Sequence, residues 1–301
     1  MKRFLRKRLL LSLAAAGTLA VVFHLGLSSC GPSRTGKPVV ACSNSILADF
    51  ARTVAGPHVD VRTLAIPLDD AHKVAPTEEL KRAVGESWAI FENGLGLEPW
   101  LDDIVKAAPG EHRRFVATKG VTPILRADGS PDPHAWLDPR NAQTYVLNAR
   151  DMLISVDPDH ESDFRTNADS LIESIKGVEA YVTSEVESLA PQRRRILVVH
   201  DSMRYFAARF GFQTTALAPA GIKPTSQDGE AATDWLLKER TPAMFTEAGH
   251  DEEAIRALSF KNGRNVLGPL WTDTLDAPGK PAGSYVGAMK ENTALIVKGL
   301  R

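Results

Sequence analysis

Nine residues, Pro131-Asp132-Pro133-His134-Ala135-Trp136-Leu137-Asp138-Pro139, combine three prolines, two carboxylates, a tryptophan and one histidine. Proline fixes its own φ and pushes the preceding residue out of the helical region, so Asp132 is expected to be extended and His134 to sit in a stiffened loop. Asp138-Pro139 reads as an N-cap followed by proline at the first helical position, opening a helix through Tyr145, Leu147 and Met152. A histidine held this way presents a ring nitrogen in a fixed direction, which suits a metal ligand. Taken alone, it could equally cap a loop beside Trp136. The outcome depends on the other histidines. His58, His112, His160 and His250 lie among charged residues or turns and are expected to be solvated. His72, His134 and His200 each fall at the carboxyl end of a strand or in the loop after it, where open α/β sheets bind ligands. Three imidazoles converging there would make a nitrogen-rich site for a borderline metal such as zinc.

The elements that must position these residues follow from patterning. Short apolar runs at 38–43, 59–66, 87–92 and 114–118 alternate with helical spacing such as Ile46, Phe50 and Val54, which argues an α/β fold with parallel strands. From Pro158 to Ala190, the residues Leu171, Ile175, Val178, Val182 and Leu189 keep one apolar face. A helix of roughly 30 residues would reach about 45 Å, long enough to connect two α/β lobes as a stiff joint, with Gly177 its weak point. Beyond it, strands are expected at 195–199, 213–217, 243–246 and 265–267, the last stopped by Gly268-Pro269. Helices are expected at 201–210, 230–238, 252–258 and 284–300. The reading gives lobes at 38–157 and 191–301, joined by a connector helix at 158–190.

The N-terminus carries Lys2, Arg3, Arg6, Lys7 and Arg8, then an apolar run from Leu9 to Leu27, then Leu27-Ser28-Ser29-Cys30-Gly31. This is the pattern of an export signal over residues 1–29. Leu-Ser-Ser-Cys resembles a bacterial lipobox, which makes Cys30 the expected lipidated first residue of the mature chain and 30–37 a tether. An uncleaved membrane anchor is the alternative. Without the leader, 31 Lys and Arg face 37 Asp and Glu, a formal charge of −6, which excludes an electrostatic nucleic-acid binder. The remaining cysteine, Cys42, reads as a small buried apolar residue on a strand.

The chain resembles the substrate-binding lipoproteins of bacterial zinc and manganese ABC importers, the cluster A-I metal-binding family. The likeness is carried by Val39 to Gly56, Asp70 to Leu80, Asn93-Gly94-Leu95-Gly96-Leu97-Glu98-Pro99-Trp100-Leu101, the Pro131 to Pro139 segment, His200-Asp201-Ser202-Met203-Arg204-Tyr205-Phe206 and Leu270-Trp271-Thr272-Asp273-Thr274-Leu275. The resemblance implies a metal between two lobes, held by His72, His134, His200 and Asp273, with Glu247 behind the ligands or as a substitute oxygen ligand. It implies Zn2+ as the bound substrate, with Mn2+ the alternative, because manganese members tend to carry a carboxylate where this chain has His200. It also implies a permease and its ATPase as partners, an exported and lipid-anchored monomer at the periplasmic or extracellular face, and no catalysis. The chain departs from the family at Asp70-Ala71-His72-Lys73-Val74-Ala75-Pro76, where a proline, an aromatic and a glutamate are usual, and it lacks a histidine-rich acidic loop. A zinc hydrolase using the three histidines, with Asp273 or Glu247 as general base, is the competing class. It lacks an HExxH helix and a nucleophile elbow.

Overall fold

The computed structural model describes residues 36–65, 70–219 and 221–301. The proposed leader, Cys30 and most of the tether lie outside them. No helix among the described residues is long and apolar enough to cross a membrane.

The first lobe begins with β1 (Val39–Cys42), and Asn44 ends the strand by capping α1 (Ser45–Ala55), its side chain accepting from the Leu47 N–H. The chain continues through β2 (Asp60–Thr63), α2 (Glu78–Glu86), β3 (Ala89–Glu92), α3 (Leu101–Ala107) and β4 (Arg113–Val116). The four strands are parallel, in the order β2-β1-β3-β4. A short 3-10 turn, Ala135–Leu137, leads into α4 (Pro139–Val156), where the Asp138 side chain accepts from the Arg140 N–H and Pro139 opens the helix as expected.

The second lobe repeats the alternation with β5 (Arg195–His200), α6 (Arg204–Phe210), β6 (Gln213–Ala218), α7 (Ser226–Glu239), β7 (Ala243–Glu247), α8 (Glu253–Asn262), β8 (Asn265–Leu270) and α9 (Tyr285–Leu300). Here β5 pairs with β6 and β7 with β8, all parallel, and β5 runs beside β7. Strand β8 runs through Gly268-Pro269 to Leu270, past the stop expected from the sequence. Among the described residues it pairs only with β7, and an edge strand tolerates a residue without an N–H.

The pleat of each sheet sorts its side chains between two cores. Val40, Cys42 and Phe91 face a central helical layer, whereas Ala41 and Ile90 face α2 and α3. In the second lobe, Ile196, Val198 and Phe245 join the same central layer while Leu197, Val199 and Met244 face α7 and α8. Strands buried on both faces read as continuous apolar runs, which is why the sequence disclosed them. The Cys42 thiol is pushed up to about 12 by burial, the behaviour of an inert core residue.

Between the lobes runs α5 (Glu161–Glu187), 27 residues and about 40 Å long. Phe164, Ala168, Leu171, Ile175, Val178, Val182 and Val186 form one buried face at three- and four-residue spacing. That face packs on α1 and α4 of the first lobe and on α9 and α6 of the second. Its seven buried side chains account for its stability better than helix propensity does, since a large one contributes about 1.5–3 kcal/mol. The helix stays unbroken at Gly177, where an added Cβ would meet open space.

Candidate metal centre

His72 lies in the loop after β2, His134 just before the 3-10 turn leading to α4, His200 at the last position of β5, and Asp273 three residues beyond β8. Each lobe thus contributes two side chains to one point between them. His134 Nε2 stands 3.2 Å from His72 Nε2 and 3.3 Å from His200 Nε2. Asp273 Oδ2 lies 3.0 Å from His200 Nε2 and 3.4 Å from His72 Nε2, and its Oδ1 lies 3.4 Å from His134 Nε2. A tetrahedron with bonds of about 2.0–2.1 Å has edges of about 3.3–3.4 Å, so these separations fit one small four-coordinate cation. The side chains of His134, His200 and Asp273 are 0%, 3% and 1% exposed, and that of His72 is 9% exposed.

Two of the three rings, those of His134 and His200, are aimed by groups behind them. Asp132 Oδ1 accepts from the His134 backbone N–H at 3.0 Å and lies 2.7 Å from His134 Nδ1, which fixes that ring with Nε2 toward the centre. The Asp132 carbonyl accepts from the Tyr205 hydroxyl of the other lobe at 2.9 Å. Glu247, at the end of β7, stands behind His200. Its Oε2 accepts from the His200 N–H at 2.9 Å and lies 3.1 Å from His200 Nδ1, and its Oε1 accepts from Ser202 Oγ at 2.6 Å. With both oxygens engaged there, Glu247 supports His200 and lies outside the four-donor cluster.

The Asn93 to Leu101 stretch supports both histidine loops of the first lobe. Asn93 Nδ2 donates to the Pro133 carbonyl at 3.0 Å, next to His134, while Tyr145 donates to Asn93 Oδ1 at 2.7 Å. Trp100 Nε1 donates to the Ala71 carbonyl at 2.9 Å, next to His72. Glu98 gathers the turn by accepting from Ser43 Oγ and from the Asn93 and Gly94 N–H groups at 2.5, 2.6 and 3.2 Å. Gly94 has φ +81°, and a Cβ there would come within 2.7 Å of Val116, so the turn requires glycine.

Burial pulls against the charges of the site, and the partners decide the result. Burial alone would raise Asp273, yet the charges of His200 and His134 hold it well below the usual carboxylate range. Burial would lower His200, and the Glu247 and Asp273 carboxylates push it well above its ordinary value. Burial would raise Glu247, and His200 holds it below. For His72 burial prevails and lowers it. Without an ion, a buried carboxylate among imidazoles attracts positive charge, which a divalent cation can supply.

Of the four histidines expected in solvent, His58, His112 and His160 are half-buried at the periphery, with His58 and His160 stacked at 3.7 Å. His250 departs from the expectation. Its Nε2 stands 3.0 Å from Asp273 Oδ2, and its ring stacks on His200 at 3.9 Å between centroids. It follows the end of β7 by three residues. The strand-end rule that singled out the other three histidines therefore applied to it as well.

The family model described as "Zinc-uptake complex component A periplasmic" matches residues 40–299. A manganese-binding lipoprotein of Halalkalibacterium halodurans is 28% identical over 288 residues, covering 91% of this chain and 93% of the relative. An iron ABC transporter substrate-binding lipoprotein of Streptococcus pyogenes serotype M1 is 25% identical over 304 residues, covering 96% and 98%. A periplasmic zinc binding protein from Treponema pallidum superposes with a TM-score of 0.84 at 23% identity, over 88% of this chain and 99% of that one, a likeness of fold. The chain belongs to the periplasmic zinc-uptake complex component A family, the metal-binding, substrate-binding proteins of ABC transporters, and so to a family of transport proteins rather than enzymes.

Proposed function

We propose that this protein captures Zn2+ outside the cytoplasm with His72, His134, His200 and Asp273, and delivers it to a membrane permease driven by a cytoplasmic ATPase. The observation that carries the reading is the meeting of four side chains from both lobes, their ring nitrogens and carboxylate oxygens 3.0–3.4 Å apart wherever a pair is measured. Three imidazoles and one carboxylate suit zinc, while harder manganese favours carboxylate and water. A closed set of four protein donors leaves no position for a reactive water, which argues against a zinc hydrolase.

In this reading a first lobe over 38–157 and a second over 191–301 are held by a connector within 158–190. Closure on the ion is a small adjustment, because the lobes are already tied by the Leu275 N–H to Ser45 Oγ bond and the Tyr285 N–H to Asp49 Oδ2 bond, at 2.9 and 2.8 Å. The mature chain acts as a monomer anchored by lipid on Cys30, which raises its local concentration near the permease. Competition titration with Zn2+ and Mn2+ tests the metal. Wild type is expected to take Zn2+ preferentially, and His200→Glu to reduce that preference. A wild-type preference for Mn2+ at equal free concentrations, or an unchanged ratio in the variant, would overturn the zinc assignment.

A further inference from the structure

Beside the four-donor cluster, one oxygen of Asp70, one ring nitrogen of His250 and one oxygen of Asp273 lie within 4.8 Å of one another. We propose that these three residues form a second, outer position for a divalent cation, through which the ion enters and leaves the inner set. The inference rests on the reading of the inner set as a metal site, since it shares Asp273 with it.

Access comes first. His134, His200 and Asp273 are enclosed, so an ion must arrive past the more exposed edge of the cluster. A cleft of about 240 Å³ opens onto His200, lined among others by Asp70, Lys73, Lys223, His250 and Asp251. It reaches the inner set at His200 and is lined by Asp70 and His250 as well.

Geometry comes second. The His250 side chain is 7% exposed, stacked on His200 at 22° between ring planes, with Nε2 3.0 Å from Asp273 Oδ2. Asp273 can serve both positions, because Oδ1 faces His134 while Oδ2 stands 3.0 Å from both His200 and His250. Three ligands bound to one zinc at bonds of about 2.0–2.2 Å lie at most about 3.5–3.8 Å apart when spread evenly in a plane. With the three atoms within 4.8 Å of one another, the outer group closes on an ion with shifts of under about one ångström each.

Chemistry comes third. One nitrogen and two oxygens leave coordination positions for water, which suits an ion that still carries part of its hydration shell. Exchanging Asp70 and His250 for His72, His134 and His200 while keeping Asp273 lets the ion change partners without losing all of them at once. Lys73 and Lys223 line the same cleft and oppose a second positive charge, so the outer position is weak and suited to transit.

The test uses the mature chain with Zn2+ alone, by calorimetric titration and by release of bound Zn2+ to excess chelator in stopped flow. Wild type should bind one equivalent tightly and a second weakly. His250→Gln and Asp70→Asn should each lose the weak equivalent, keep a tight one and slow release about tenfold. His134→Ala should do the reverse, weakening the tight equivalent strongly while keeping the weak one. Loss of the tight equivalent in His250→Gln with its retention in His134→Ala would make His250 an inner ligand and overturn the outer position. A single equivalent in wild type, or a weak equivalent and release rate unchanged in both His250→Gln and Asp70→Asn, would also overturn it. The absence of any tight equivalent in wild type would instead refute the inner site itself.

Discussion

Trp136 Nε1 donates to the Thr272 carbonyl at 2.8 Å, across the lobes and out of contact with water. The bond ties the second residue after His134 to the residue immediately before Asp273. The Trp136 carbonyl in turn accepts from the Tyr285 hydroxyl at 2.8 Å. One tryptophan thus sets the distance between a ligand of the first lobe and a ligand of the second.

Replacing Trp136 by Phe should therefore act on stability and on metal binding together. The Thr272 carbonyl would be left buried without its donor, at a cost of about 1–3 kcal/mol. Thermal unfolding of the metal-free protein should fall accordingly, and Zn2+ affinity should fall with it. Unchanged unfolding would mean that the bond does not hold the lobes.

Asp132→Asn tests the aiming of His134. Asparagine keeps an oxygen for the His134 N–H but no longer offers a carboxylate to Nδ1, and such changes behind a ligand typically weaken metal affinity about 10–100-fold. Circular dichroism should stay at wild-type values while titration shows the loss. Equal affinity would remove Asp132 from the account.

Much of this arrangement was legible in the sequence where it depended on local chemistry. The doubly buried strands read as apolar runs, Asp138-Pro139 announced the start of α4, and the spacing through Leu171, Ile175, Val178 and Val182 gave α5. Helix α2 passed unread although Thr77 caps it and Glu78 and Glu79 occupy its first turn. Its apolar stripe is only Leu80, Ala83 and Val84, about one turn long, too short for a helical period to register. His250 was misplaced because its neighbours Asp251, Glu252 and Glu253 mark it as surface, while its setting is decided by β7, which carries it beside His200. The Trp136 to Thr272 bond joins residues 136 positions apart, and no periodicity encodes such a pairing.

Glu98 gives a pH dependence away from the proposed ligands. Burial, partly offset by its bonds to Ser43 and Asn93, raises its carboxyl from 4.5 to about 7. Folding therefore favours the protonated form. That contribution is complete below the unfolded value of about 4.3 and is lost as pH rises through about 7. Relative to wild type, Glu98→Gln should gain stability from pH 5 to about pH 7 in denaturant titrations and level off above it. A difference that does not change over that range would contradict the raised carboxyl.

Cys30→Ala should abolish membrane attachment, because a single thiol carries the proposed anchor. Metabolic labelling with palmitate should mark the wild-type chain and not the variant. A wild-type chain without label would end the lipobox reading.

The central claim is that His72, His134, His200 and Asp273 close on one ion. X-ray absorption at the zinc edge of the one-to-one complex tests it most directly. The account predicts four nitrogen or oxygen neighbours at about 2.0–2.1 Å, with scattering from three imidazole rings that is lost in part in His134→Ala. A six-coordinate, water-rich zinc, or a spectrum unchanged by that substitution, would contradict it.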